Sequence, residues 1–135
     1  MSKLILANDG IDAVGKSLLE KAGFTVVTEK VAQEDLASEI NSKGYVALTV
    51  RSATKVRKEV IDACPNLKVI GRGGVGMDNI DVEYARSKGL QVINTPAASS
   101  NSVAELVFAH LFNAVRFLYD SNRNMPVTGS SKFED

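Results

Sequence analysis

Two segments hold residue types that could act on a small anion: Arg51-Ser-Ala-Thr54 and Gly71-Arg-Gly-Gly-Val-Gly-Met-Asp-Asn-Ile-Asp81. Arginine presents a planar fork that makes charge-assisted hydrogen bonds to a carboxylate or phosphate. The first segment lies between an apolar run and a helical pattern, where backbone N–H groups at a helix start also favour an anion. The same residues equally read as a plain turn whose Ser52 or Thr54 caps the helix. In the second segment, glycines allow a backbone to approach a ligand closely. Its first six residues match G-x-G-x-x-G, but a dinucleotide site needs a helix opening inside the glycines and an acidic residue ending the next strand. Here Met77-Asp-Asn-Ile-Asp81 intervenes, and the next strand ends at the uncharged Asn94. The loop is better read as glycines offering N–H groups to a small carboxylate.

The remaining reactive side chains are isolated. His110, the single histidine, sits mid-pattern among Phe108, Leu111 and Phe112, and packing or an interface contact is its expected role. Cys64, the single cysteine, lies on an apolar helical stripe and reads as core. One cysteine excludes an internal disulfide and a multi-cysteine metal site, so no metal is expected. Asp9 either binds a cation or fixes the first turn. A receiver domain, another doubly wound fold, needs paired acids after the first strand, an aspartate after the third and a lysine after the fifth. This chain has a lone Asp9, then Arg51, then Asn94-Thr95.

These segments must be positioned by the elements around them. Short runs rich in β-branched residues recur at Leu4–Ala7, Thr25–Val27, Tyr45–Val50, Lys68–Ile70 and Gln91–Ile93. Their starts fall about 20 to 23 residues apart, room for a strand, a helix and two loops. Ile11, Val14, Leu18, Leu19 and Ala22 form a helical stripe stopped by Gly23. Leu36 and Ile40 mark a second helix, ending before Gly44. Val56, Val60 and Cys64 mark a third, starting near Lys55 and closed by Pro65. Asp81 reads as the N-cap of a fourth, with its stop at Lys88-Gly89. The pattern predicts an α/β fold, a flavodoxin-like, doubly wound, parallel five-strand sheet with helices on both faces, plus a long C-terminal helix. That helix, from Ser102 to Tyr119, is apolar around nearly its whole circumference. It should therefore be covered by a partner subunit or another domain.

Sixteen basic and sixteen acidic residues cancel among 135, so no basic surplus points to nucleic acid or an anionic membrane. The N-terminus meets a charge too soon for a signal peptide, and no apolar run is long enough to span a membrane. A cytoplasmic location is expected.

Val50-Arg-Ser-Ala-Thr-Lys55, the glycine segment from Gly71 to Asp81, Val92-Ile-Asn-Thr-Pro96 and Val103-Ala-Glu-Leu106 occur in this order and spacing. Together they resemble the N-terminal part of the D-2-hydroxyacid dehydrogenases, in the form found on their phosphoglycerate branch. The match runs from the first strand to about Met125. The resemblance implies NAD-dependent oxidation of D-3-phosphoglycerate to 3-phosphohydroxypyruvate, the entry step of serine synthesis. It implies that residues 1–99 are part of a substrate-binding domain and 100–121 a connecting helix. Residues 122–135 would begin a linker to a nucleotide-binding domain. Family substrate contacts fall here on Arg51, Ser52, Arg72, Gly73, Gly74 and Ser99, and Val75 falls at a cofactor-contact position where relatives often carry Thr. The family's nucleotide fingerprint and its catalytic arginine, glutamate and histidine come later than residue 135. The expectations are thus a fragment inactive alone, with no catalytic residue in this chain and NAD bound by the longer protein rather than by this chain. A homo-oligomer formed through helix 102–119 or the further domain is also expected. The alternatives are a glycerate or glyoxylate type of 2-hydroxyacid dehydrogenase, or a stand-alone binding or dimerisation module.

Overall fold

Five runs of aliphatic and β-branched residues become parallel strands: β1 (Lys3–Ala7), β2 (Phe24–Val27), β3 (Ala47–Val50), β4 (Val69–Arg72) and β5 (Gln91–Asn94). Each connection contains a helix, which carries the chain back across the sheet and makes the strands parallel. The computed structural model describes residues 3–125, and the chain divides into two units, 1–98 and 99–135.

The first unit is the five-strand sheet, in the order β2-β1-β3-β4-β5. Between β1 and β3 the chain reverses the direction in which strands are added, the point at which open α/β sheets form a crevice beyond their carboxyl ends. The register sets the strand ends level. Val50 pairs with Arg72, and Arg72 pairs with Asn94.

Helices α1 (Ala13–Lys21), α2 (Leu36–Lys43), α3 (Lys58–Ala63) and α4 (Val82–Ser87) fill the connections. The Asp12 carboxylate accepts the Val14 N–H at 2.8 Å and opens α1. Gly44 closes α2 in the left-handed region, at φ 71°, where a side chain would be strained. Gly23 and Gly89 follow α1 and α4 at the expected stops.

Strand alternation sorts the apolar side chains between two faces. Leu6, Leu48, Val50, Ile70 and Val92 pack with Leu36 and Ile40 of α2, Ile61 of α3 and Ala85 of α4. Cys64 is buried in this cluster, as its stripe predicted. On the other face, Ile5, Ala7 and Val26 pack with Ile11 and Leu19 beside α1. Coverage is uneven: Ile93 is 58% exposed, as are Val14 (68%) and Leu18 (62%) from the stripe that foretold α1.

One boundary moves. The apolar spacing carried the third helix back towards Lys55, but α3 starts at Lys58. Val56 instead forms an isolated parallel bridge with Ile80. Its N–H donates to the Asn79 carbonyl at 2.8 Å, and its carbonyl accepts the Asp81 N–H at 3.0 Å. An extended, β-branched, buried valine is satisfied here by a strand partner 24 residues away, which local periodicity cannot show.

The second unit contains α5 (Ser100–Arg116) and α6 (Leu118–Asn124). The single helix expected over 102–119 is interrupted at Phe117, whose φ is 51°. The Asn113 side-chain carbonyl accepts the Tyr119 N–H at 3.1 Å, in place of the backbone acceptor a continuous helix would supply. The apolar side chains of α5, from Val103 to Val115, are 49–59% exposed, and the rings of Phe108 and Phe112 stack at 6.2 Å. Of the segment expected to begin a linker, residues 122–124 are helical and 126–135 lie outside the described residues.

Candidate functional site

The carboxyl ends of β1, β3, β4 and β5 surround a cavity of about 760 Å³. Asp9, Gly10 and Asp12 line it from the β1 end, Arg51 from β3, Arg72 and Gly73 from β4, and Asn94 and Thr95 from β5. Thr49, Gly71 and Ile93 complete the lining. Polar groups converging on a largely apolar hollow at this edge are what a small-ligand site requires.

Asp9 organises the first arginine segment. Its Oδ2 accepts the N–H groups of Arg51 (2.8 Å) and Thr54 (3.0 Å), and its Oδ1 accepts the Thr54 hydroxyl (2.7 Å). Lys30 Nζ lies 3.8 Å from Oδ1. Burial pushes the carboxyl's pKa up. The Thr54 hydroxyl, the two amides and Lys30 outweigh that and hold it below its ordinary value, so Asp9 is ionised. Neighbouring Asn8 is buried and joins the same turn to the loop after β2. Its amide donates to Thr54 Oγ1 (2.9 Å) and the Val31 carbonyl (3.2 Å), and its carbonyl accepts the Val31 N–H (2.8 Å).

The turn is gripped from its other side by Asn79. Its amide donates to the carbonyls of Arg51 (2.8 Å) and Thr54 (2.6 Å). Asp81 completes the bracket two residues on. Its Oδ1 pairs with Arg57 at 2.8 Å and its Oδ2 accepts the Lys58 N–H at 3.0 Å. Arg57's hydrogen bond holds the Asp81 carboxyl below the ordinary carboxylate value. Asp81 therefore caps α3 across the fold, and its side chain leaves its own helix, α4, uncapped.

These contacts bear on both readings of Arg51-Ser-Ala-Thr54. The turn does have an anion on its amides, but that anion is Asp9. What it presents outward is the Arg51 side chain, exposed and without a hydrogen bond or ion pair among the described residues. Ser52 is exposed too, beside a smaller hollow lined by Asp9, Lys30 and Ala53.

The glycine loop is likewise pinned. Gly73 N–H donates to the Val50 carbonyl (2.9 Å) and Gly74 N–H to the Arg72 carbonyl (3.0 Å). Thr95 N–H donates to the Gly74 carbonyl (3.1 Å), and the Asn94 amide to the Val75 carbonyl (2.7 Å). The N–H groups of Gly73 and Gly74 are thus engaged. Those of Val75 and Gly76 have no partner among the described residues. Arg72 ends β4 half-buried, and its guanidinium has no hydrogen bond or ion pair among the described residues; its Nε is buried.

The loop lacks the helix start of a dinucleotide fingerprint. The chain passes from Gly76 into the bridge at Ile80, and α4, only six residues long, begins at Val82. No helix N-terminus opens within the glycines. Ser99 occupies the N-cap position of α5, and His110 lies on α5; both belong to the second unit. Among the described residues, no group of three His, Cys, Asp or Glu side chains could hold a metal ion. No helix there is long and apolar enough to cross a membrane.

Sequence pattern marks Asp9 only as a turn or cation residue and gives no sign that Asn79 and Asn94 are positioning groups. The available signal was the polar run Met77-Asp-Asn-Ile-Asp81, which continues past the glycines without starting a helix. Its partners lie 23 to 28 residues back in sequence.

The chain is similar to known proteins over most of its length. Residues 5–128 match the family model described as D-isomer specific 2-hydroxyacid dehydrogenase, catalytic domain. D-3-phosphoglycerate dehydrogenase from Methanocaldococcus jannaschii is 46% identical over 112 residues, covering 83% of this chain and 21% of that protein. Hydroxypyruvate reductase from Thermotoga maritima is 42% identical, covering 82% of this chain and 36% of that protein. The crystal structure of NAD+-bound 3-phosphoglycerate dehydrogenase from Entamoeba histolytica superposes with a TM-score of 0.68 at 32% identity, covering 84% of this chain and 39% of that chain. This chain therefore spans about a fifth to two-fifths of the length of these relatives.

Proposed function

We propose, from the premise that this chain belongs to the D-isomer specific 2-hydroxyacid dehydrogenase family of oxidoreductases, that it forms the substrate-gripping part of an NAD-dependent D-3-phosphoglycerate dehydrogenase. One observation carries the reading: two arginines, Arg51 and Arg72, whose guanidinium groups have no hydrogen bond or ion pair among the described residues, line one cavity at the carboxyl edge of the sheet. A 3-phosphoglycerate molecule carries a carboxylate and a phosphate, and each arginine matches one anion. The unpartnered N–H groups of Val75 and Gly76 supply a further place for the carboxylate. Gly73 and Gly74, whose amides are engaged, enter as shape rather than as donors. Ser52 and Ser99 enter on the resemblance, Ser52 with the support of its exposure beside Arg51.

The part of these residues is to bind and orient the acid. Because no helix N-terminus opens within the glycine loop, we place NAD, and the groups that move the substrate's hydroxyl proton, on polypeptide outside residues 3–98. Cytoplasmic location belongs to the same proposal. A second reading keeps the site and drops the phosphate. The 42% identity to a hydroxypyruvate reductase favours a small unphosphorylated acid.

Calorimetric titration of the chain separates the two readings. On the first, D-3-phosphoglycerate binds more tightly than D-glycerate or hydroxypyruvate, by the roughly ten- to a hundredfold that one charge-assisted contact is worth. Equal affinity for the phosphorylated and unphosphorylated acids favours the second reading. Failure of all three to bind removes the site.

A further inference from the structure

The Arg72 guanidinium is well placed without being held by any polar partner. Its Nε is buried and unpaired among the described residues, and neither hydrogen bond nor ion pair fixes its end. What lies against it is Gly74. A Cβ built on Gly74 would fall on Arg72 Nη1 and within 2.7 Å of Cζ and 3.4 Å of Nε. The guanidinium therefore occupies the volume that a side chain at position 74 would take. Gly74 is itself fixed from both sides, by its N–H on the Arg72 carbonyl and by its carbonyl on the Thr95 N–H. The seat is rigid backbone, while the arginine end is mobile by nature, so a collision moves the arginine.

Neighbouring Gly73 behaves differently. A Cβ there would meet only Arg51 Cγ at 3.7 Å and the Val50 carbonyl oxygen at 3.9 Å, ordinary contacts. Two adjacent glycines in one loop thus have unequal reasons to be glycine.

We propose that Gly74 is a positioning residue that acts through Arg72: its missing side chain is the seat that aims the guanidinium at the bound acid's anion. This rests on the reading of Arg72 as an anion contact, and the experiment separates the two. Gly73→Ala, Gly74→Ala, Arg72→Ala and the double variant Arg72→Ala/Gly74→Ala are made in the whole chain. Each is melted and titrated with D-3-phosphoglycerate. The expected result is that Gly74→Ala is weakened about as much as Arg72→Ala, roughly ten- to a hundredfold. The double variant should be no weaker than either single one, because both remove the same contact. Gly74→Ala binding like wild type, or effects that multiply in the double variant, overturns the proposal.

Two further readouts do not need the ligand. Gly74 has φ 156°, so alanine there adds backbone strain as well as the collision. Deleting the guanidinium should then recover part of any melting-temperature loss in Gly74→Ala, and no recovery counts against the seat. In nuclear magnetic resonance spectra, the Arg72 Nε–H signal should shift and exchange faster in Gly74→Ala and stay in place in Gly73→Ala. An unmoved signal in Gly74→Ala overturns the proposal. If wild type binds no ligand but these two results hold, the seat stands and the substrate reading falls.

Discussion

At the residue scale, Asp9 turns a flexible arginine-bearing turn into a fixed one. It is nearly buried, its side chain 5% exposed, and it receives three hydrogen bonds from the turn it holds. Its carboxyl pKa lies below the ordinary 3.8. A carboxyl lowered on folding stabilises the native state above its unfolded pKa, and that contribution is lost as pH falls through the folded value. Asp9→Asn should therefore unfold in less urea than wild type at neutral pH. The gap should stay constant down to about pH 4 and shrink below it. Urea titrations across this range make the check, and a gap unchanged into strong acid contradicts the role given to the charge.

At the scale of elements, the second half of the glycine segment serves the first arginine segment. Asn79 holds the two carbonyls of the turn whose two amides Asp9 holds, and Asp81 caps α3 beyond it. Asn79→Ala removes both carbonyl contacts and leaves the arginine itself untouched. Hydrogen exchange at the Arg51 and Thr54 amides should quicken, and affinity for D-3-phosphoglycerate should fall by roughly fivefold, the value of about one kcal/mol of lost hydrogen bonding. Unchanged exchange at those amides would show that Asp9 alone suffices. The sequence displayed the strands and the glycine stops clearly, because β-branched runs and left-handed caps are local signals. It displayed the two arginine-bearing segments as candidates for an anion site, because residue type is local too. The clamps were hidden because they join side chains to backbone across loops. Val56 was placed in a helix because its spacing from Val60 and Cys64 fits one; the bridge to Ile80 that overrides this has no local trace. The break at Phe117 was hidden likewise, since it depends on the Asn113 side chain and on no glycine or proline.

At the scale of the molecule, each unit leaves apolar surface open. The first exposes Val14, Leu18 and Ile93, and the second exposes the whole apolar length of α5. Soluble monomers rarely expose contiguous apolar patches beyond a few hundred Å². The relatives are several times longer than the stretch they share with this chain. We read these surfaces as covered in use by further polypeptide or by a second copy. Light scattering of the chain alone should therefore give a mass that rises with concentration. A monomer that stays monodisperse at high concentration contradicts that reading.

Arg51 and Arg72 are proposed to act together on one acid. The most direct test is calorimetry with D-3-phosphoglycerate on wild type, Arg51→Ala, Arg72→Ala and the double variant, with melting curves confirming that each is folded. Each single change should weaken binding by roughly ten- to a hundredfold, and the double should abolish it at any accessible concentration. A folded double variant that still binds like wild type would contradict the assignment of this edge of the sheet as the substrate site.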